Sequence, residues 1–137
     1  MTGFIYRHRV SFADTNVVGN VYFARYLDWQ GRCRELFLSE HAMEVARDVA
    51  AGRLVLVTLA CDMQYFEECY AFDDLDVEMT LREVAGNRMA MHFDYRRDDV
   101  VVARGGQTVA CMRRCDDGLA PVPVPGALAE QAARYSA

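Results

Sequence analysis

The stretch FADTNVVGNVYFARYLDWQGRCREL, residues 12–36, gathers the short polar side chains of Asp14, Thr15, Asn16 and Asn20 around Gly19, then runs straight into an apolar periodic segment. A tight glycine turn leading from a strand into a helix would set these side chains beside the first helical N–H groups. Those groups lack internal acceptors and sit at the positive end of the helix dipole. A carbonyl placed there finds an oxyanion site. The same residues can equally serve only to satisfy a turn and a helix cap. Tyr22, Tyr26, Gln30 and Arg34 recur every fourth residue and so stack as one stripe beside the apolar face. A cation ending that stripe needs a partner, because an unpaired buried charge is costly. The partner is either a carboxylate across the helix or subunit interface, or a bound substrate. Arg25, Asp28, Arg32 and Glu35 read as a solvated charged face.

Other chemistries lack their signatures. The chain has no GxSxG and only three serines (Ser11, Ser39, Ser136) and three histidines (His8, His41, His92), which argues against a serine triad. Cys33 lies on the apolar helix face, where a thiol has no polarising neighbour. The five cysteines (Cys33, Cys61, Cys69, Cys111, Cys115) are odd in number, form no CxxC pair and have no histidine at zinc spacing. They are expected to be reduced packing residues, and no metal site is predicted. Gly105-Gly106 opens no helix, so phosphate-binding fingerprints are missing as well. Fifteen Lys and Arg against twenty Asp and Glu give a net charge of −5, which does not provide the basic surface that nucleic acids require. The start, MTGFIYRHRVSF, has no continuous apolar segment and nothing later reaches membrane-span length, so a cytoplasmic protein is expected.

These residues need a scaffold to hold them, and 137 residues with 53% hydrophobic content suffice for one domain with one core. FIYRHRVSF, residues 4–12, alternates as a strand does. From Val21 to about His41, Phe23, Tyr26, Leu27, Gln30, Cys33, Leu36 and Phe37 share a helical face, with Asn20 or Gly19 as the cap. EVARDVAAG, residues 44–52, predicts a short second helix stopped by Gly52. Four β-rich runs follow from Leu54, with hairpin turns at Gly86-Asn87 and Asp98-Asp99, and are expected to form a four-stranded antiparallel meander. Gly105-Gly106 marks a bulge or a close backbone approach. The core is expected over residues 4–116, with 117–137 a peripheral tail. The pattern is α+β: an antiparallel curled sheet wrapped around one long central helix, with a sheet edge left for a second copy.

Residues Thr15–Leu38, TNVVGNVYFARYLDWQGRCRELFL, resemble the hot-dog-fold acyl thioesterases of the 4-hydroxybenzoyl-CoA type. More narrowly, they are similar to the thioesterases of enediyne polyketide biosynthesis. The match to TN-x-VGNVY and Y-L-x-WQGRCRE is nearly continuous over 24 residues, and the fold-level resemblance spans about residues 4–116. In the wider family a turn carboxylate acts as nucleophile or base. Asn16 stands at that position here, and an uncharged amide neither attacks nor takes a proton at neutral pH.

The resemblance implies that Asn16 orients water or the carbonyl, that Arg34 polarises the thioester, and that backbone N–H groups near Phe23 form the oxyanion site. Tyr26 would help position the carbonyl or the water. Gly19, Asn20, Phe23, Gln30 and Glu67 are implied around the substrate, and Asp14 is expected to be a turn residue. Met63, Phe66, Met79, Met89, Met91, Phe93 and Met112 are mostly core residues, with a lining role for a long acyl chain as the alternative. Arg96, Arg97, Arg113 and Arg114 are solvated strand ends, or contacts for a phosphopantetheine phosphate or an acidic carrier. The implied enzyme releases a polyene β-keto or β-hydroxy acid from the acyl carrier domain of a polyketide synthase, and a β-keto product can then lose carbon dioxide. It needs no metal or organic cofactor. It works as a homodimer or a dimer-of-dimers tetramer, with its sites at subunit interfaces. The alternatives are an acyl-CoA thioesterase for aryl or medium-chain substrates, and a non-catalytic acyl-binding module.

Overall fold

The computed structural model describes residues 3–136. In chain order the elements are β1 (Phe4–Arg9), α1 (Arg25–His41), α2 (Met43–Ala50), β2 (Val55–Tyr65), β3 (Asp74–Ala85), β4 (Arg88–Arg97), β5 (Val100–Cys115), β6 (Gly118–Pro121) and α3 (Gly126–Arg134). The strands form one antiparallel sheet in the order β1-β3-β4-β5-β2, with β6 paired to the end of β5. It curls around α1 as a half-barrel, the hot-dog arrangement. Register shifts at Thr58/Ala60, Leu81/Glu83 and Tyr95/Arg96 mark irregular pairings where such a sheet can bend. Among the described residues, no helix is long and apolar enough to cross a membrane.

The expected meander is correct only for β3-β4-β5. β2 crosses over to pair with β5, so Val55–Tyr65 becomes an edge strand whose second half is largely exposed. Strand periodicity reports faces and turns, and it carries no information on which neighbour a strand selects across a connection. The β3–β4 and β4–β5 turns fall where expected, with Asp98 and Asp99 both at positive φ (51° and 65°) as a two-residue hairpin turn requires.

α1 buries Tyr26, Trp29, Gln30, Cys33, Phe37 and Leu38. These fall on one stripe at helical spacing and meet the inward residues of the sheet, among them Leu75, Val77, Met79, Phe93 and Tyr95. The helix begins at Arg25 instead of Val21. Thr15 and Asn20 make β-bridges to Val21 and Tyr70, and the Val21 N–H donates to the Cys69 carbonyl at 2.8 Å, which holds this segment extended. Gly105 supplies the close approach that the sequence suggested, with no bulge at that point. A Cβ there would lie 2.5 Å from the Asp62 carbonyl oxygen, from Gln30 Nε2 and from Met63 Sδ. The bare backbone is what lets the helix side chain reach the sheet.

The tail is not peripheral. Leu128 is fully buried and Ala132 nearly so. The Tyr135 ring stands edge-on to Phe4 and Phe37, its carbonyl accepts the Leu81 N–H, and its hydroxyl meets His41 Nε2 at 3.0 Å. Prolines in PVPVP end β6 and cannot donate to a sheet ladder, but they leave the following apolar residues free to return to the core. Truncating Leu128 to Ala should therefore cost about 2–5 kcal/mol of unfolding free energy. Urea denaturation checks this, and a change under about 0.5 kcal/mol would mean that the tail is not docked in solution.

Candidate active site

The turn is built from its own hydrogen bonds. A 3₁₀ segment, Phe12–Asp14, is closed by the Thr15 hydroxyl donating to the Phe12 carbonyl at 2.7 Å. The Asn16 N–H donates to the Asn20 carbonyl (2.9 Å), and the Gly19 N–H to the Asn16 carbonyl (3.0 Å). Gly19 turns the chain with φ +94°, a conformation that side chains oppose. The Val18 N–H donates to Asn16 Oδ1 at 3.0 Å. A backbone donor tolerates only an oxygen there, which fixes the amide orientation. Among the described residues, the Asn16 NH₂ has no acceptor, so the residue offers a donor where a carboxylate would offer a base.

Asp14 is a turn residue, as expected. One oxygen, Oδ2, accepts from His8 Nε2 (2.9 Å), the Ser11 N–H (3.0 Å) and the Ser11 hydroxyl (3.2 Å), while the Tyr6 hydroxyl meets His8 Nδ1 at 2.7 Å. Burial alone would raise its pKa, but the Ser11 and His8 donors outweigh burial and hold the carboxyl below its ordinary value.

The helix that follows has no side-chain cap, since its N-cap residue is Ala24 and not Asn20 or Gly19. The Arg25 and Leu27 N–H groups bond to the Tyr22 and Ala24 carbonyls. Among the described residues, those of Phe23, Ala24 and Tyr26 find no acceptor in the protein. Of these residues, Phe23 and Tyr26 line a cleft of about 300 Å³ between the turn and the end of β2, together with Asn16, Asn20 and Val21 on one side and Tyr65, Phe66, Glu67 and Glu68 on the other. Six of the expected site residues thus prove neighbours in space or in the turn: Asn16, Asn20, Phe23, Tyr26 and Glu67 line the cleft, and Gly19 sits at the exposed tip of the turn.

The Asn20 NH₂ is bound by Glu68, and its buried Oδ1 has no partner, which leaves an acceptor at the cleft wall. Burial, with the Cys69 thiol beside it, pushes the Tyr26 phenol far above its usual range, so it stays a neutral hydroxyl. Cys33 is pushed up to about 12 by burial and is no nucleophile.

Gln30 and Arg34 lie elsewhere. The stripe runs down α1 beneath β2, and Arg34 is two turns, about 12 Å along the axis, beyond Tyr26. Tyr22, placed on the stripe by spacing, lies outside the helix and is exposed. Arg34 Nη1 donates to Gln107 Oε1 at 2.7 Å, Gln107 Nε2 to Gln30 Oε1 at 3.2 Å, and Gln30 Nε2 to the Asp62 carbonyl at 3.0 Å. The partner of the cation is therefore a neutral amide and not a carboxylate.

The arginines proposed for phosphate divide. Arg96 pairs with Glu78 and Asp94, and Arg97 with Glu67 and Asp73. Arg97 also holds the Glu68 carbonyl at 2.8 Å and so shapes the far wall of the cleft. Arg113 and Arg114 are exposed. Met79, Met89, Met91 and Phe93 are core, while Phe23, Tyr65 and Phe66 supply exposed apolar surface at the cleft. Sequence reasoning missed Tyr65, whose hydroxyl donates to the Phe23 carbonyl at 2.8 Å, and also Gln107. Neither has a local signal, because Tyr65 acts through the crossover of β2 and Gln107 through the packing of β5 on α1.

An uncapped helix start and a donor-bearing turn beside a cleft on a half-barrel sheet are features that acyl-transfer chemistry uses. The sequence model of the Thioesterase-like superfamily matches residues 10–132, and the chain belongs to this family of hot-dog-fold thioesterases; it is a thioester hydrolase. Among solved structures it is similar to the dynemicin thioesterase, whose crystal structures were studied for polyene binding. The identity is 47%, each chain is covered over 98% of its length, and the TM-score is 0.94. It is also similar to a 1,4-dihydroxy-2-naphthoyl-CoA hydrolase of Synechocystis sp., at 24% identity over 127 residues, covering 91% of this chain and 92% of that one. The crystal structure of a 1,4-dihydroxy-2-naphthoyl-CoA thioesterase from Synechocystis has the same fold (TM-score 0.84, 21% identity, 95% of each chain).

The Asp14 cluster yields a prediction with a definite sign. A carboxyl whose folded pKa lies below its unfolded value of 3.8 adds stability that is complete at neutral pH and fades as pH falls through the folded value. Asp14→Asn should lower stability at pH 7 by about 1–3 kcal/mol, and the gap to the wild type should shrink below pH 3.8. Denaturant titrations at pH 7 and pH 3 measure both.

Proposed function

We propose that the protein hydrolyses a polyene β-keto or β-hydroxy acyl thioester held on the acyl carrier domain of an enediyne polyketide synthase. The observation that carries the mechanism is the uncapped start of α1, whose free N–H groups adjoin the cleft that Asn16 lines with an unpaired NH₂. The thioester carbonyl oxygen would take these donors as negative charge develops on it, with the Tyr26 hydroxyl positioning the carbonyl or the water. Water adds to the carbonyl carbon, the C–S bond breaks, and the departing sulfur takes up the proton that water gives up. Thioesters are reactive enough for placement and oxyanion stabilisation to suffice without a strong base. Phe23, Tyr65 and Phe66 would meet the apolar chain. The likeness to the dynemicin thioesterase supports the enediyne assignment. A released β-keto acid can then lose carbon dioxide.

The working form is a homodimer or a dimer of dimers. The exposed edge of β2 is suited to pairing with a second copy. Such a two-fold pairing runs the strands in opposite directions. A pairing centred near Met63 would bring Cys61 of one copy, which lies across from Gln107 and so above Arg34, beside Tyr65 of the other, where the cleft opens. Arg34 would thereby polarise the thioester in its partner's cleft. A second reading, an acyl-CoA hydrolase for aryl substrates, is favoured by the similarity to the naphthoyl-CoA hydrolases.

The test is thiol release from a long-chain β-ketoacyl pantetheine thioester, presented on the carrier domain and on CoA. Arg34→Ala should lower kcat by about 10²–10³-fold with oligomer size unchanged, in line with the loss of one oxyanion donor. Asn16→Asp keeps an acceptor for Val18 but loses the NH₂, and should also lower kcat. A faster Asn16→Asp variant would restore a carboxylate mechanism. A strong preference for CoA would select the second reading.

A further inference from the structure

Arg34 stands apart from the other partly buried arginines. Arg25, Arg96 and Arg97 all end on carboxylates. Arg34 makes no ion pair among the described residues, and its neighbour Glu35 points to solvent without bonding to it. Its Nε is buried with no partner, and burial draws its pKa below the ordinary arginine value. A buried cation is ordinarily neutralised by a carboxylate. Here the position facing it is filled by Gln107, a residue one atom type away from glutamate.

The direction of each amide in this chain is forced. The Asp62 carbonyl can only accept, so the Gln30 NH₂ must face it, and Gln30 Oε1 is then left to accept in turn. Gln107 must present its NH₂ to that oxygen, and its own Oε1 is left facing Arg34. Gln30 is fully enclosed and Gln107 is 8% exposed, so water offers no easy alternative partner. Gly105 completes the arrangement, because any side chain there would strike the Gln30 amide and the Asp62 carbonyl.

We propose that Gln30 and Gln107 are positioning residues, a one-way neutral amide relay that anchors Arg34 to the backbone of β2 while leaving its positive charge uncompensated for the developing oxyanion. The relay rests on the reading of Arg34 as the polarising group. A carboxylate at residue 107 would hold the guanidinium as firmly but cancel its charge. A structural role and an electrostatic role therefore predict opposite orders for two variants. Both variants leave Gln30 Oε1 without its donor, so if Gln107 only fills and braces the core, Gln107→Glu, which is isosteric and can still pair with Arg34, should be at least as active as Gln107→Met.

The relay predicts the reverse. Gln107→Glu should lose about 10–100-fold in kcat, approaching the loss of an oxyanion donor, with KM nearly unchanged. Gln107→Met should lose roughly fivefold to tenfold, because the charge survives but its position loosens. Both are assayed by thiol release from the same β-ketoacyl pantetheine thioester, with melting curves and oligomer size recorded. Gln107→Glu activity equal to or above that of Gln107→Met overturns the relay, and Arg34→Ala run in parallel shows whether the reading of Arg34 stands without it. If Arg34→Ala itself keeps wild-type kcat, that reading falls and the relay with it. Should Gln107→Glu fail to fold, Gln107→Met decides: a folded variant with wild-type kcat overturns the proposal.

Discussion

The position of α1 on the sheet depends on directional contacts, foremost the Gln30 amide meeting the backbone of β2 across the bare Cα of Gly105, with the Tyr95 hydroxyl donating to the Tyr26 carbonyl at 2.6 Å one turn away. A helix laid on a sheet by apolar side chains alone can slide or rotate, because hydrophobic contact has no direction. A buried amide has one, and leaving it unbonded costs about 1–3 kcal/mol. With Gln30 pinned, Tyr26 falls one turn up the helix at the end of β2 and Arg34 one turn down beside Gln107. The cleft and the cation are thus placed by the same contacts.

The absence of a base from the turn is compensated by an excess of donors. Around the cleft, the Asn16 NH₂, the uncapped N–H groups at the start of α1 and the Tyr26 hydroxyl are all donors, and in the proposed dimer Arg34 of the second copy would add a positive charge. The carboxylates nearby are occupied: Asp14 by His8 and Ser11, Glu67 by Arg97, and Glu68 by Asn20. A site of this kind stabilises negative charge wherever a carbonyl oxygen enters it and leaves proton removal to water. That balance suits an acyl group bound through sulfur better than one bound through oxygen or nitrogen, since thiolate is the better leaving group.

Local chemistry was legible in the sequence. The glycine turn, the hairpins at Gly86-Asn87 and Asp98-Asp99 and the span of α1 from Tyr26 onward follow from periodicity and turn residues. The close approach at Gly105 was visible because glycine inside a strand needs a reason. What stayed hidden depends on pairing at a distance. Val21 fits the helical period but is held extended by its bond to Cys69 and by the neighbouring bridge of Asn20 to Tyr70, and Phe23 and Ala24 form a turn before the helix. The crossover of β2, which brings Tyr65 to Phe23, and the packing of β5 on α1, which brings Gln107 to Arg34, leave no mark on either strand's own pattern. The docking of the tail was obscured by its prolines, which interrupt regular structure without preventing Leu128 from reaching the core.

Asparagine is a perishable residue, since the next backbone nitrogen can attack the side-chain carbonyl and close an imide that reopens as aspartate or isoaspartate. At Asn16 the attacking nitrogen belongs to Val17, whose branched side chain crowds the approach, and the carbonyl is held by the Val18 N–H. The turn that orients the amide for its task therefore also protects it from ageing. Spontaneous hydrolysis at this one position would give the turn a negative charge beside the donors of the cleft.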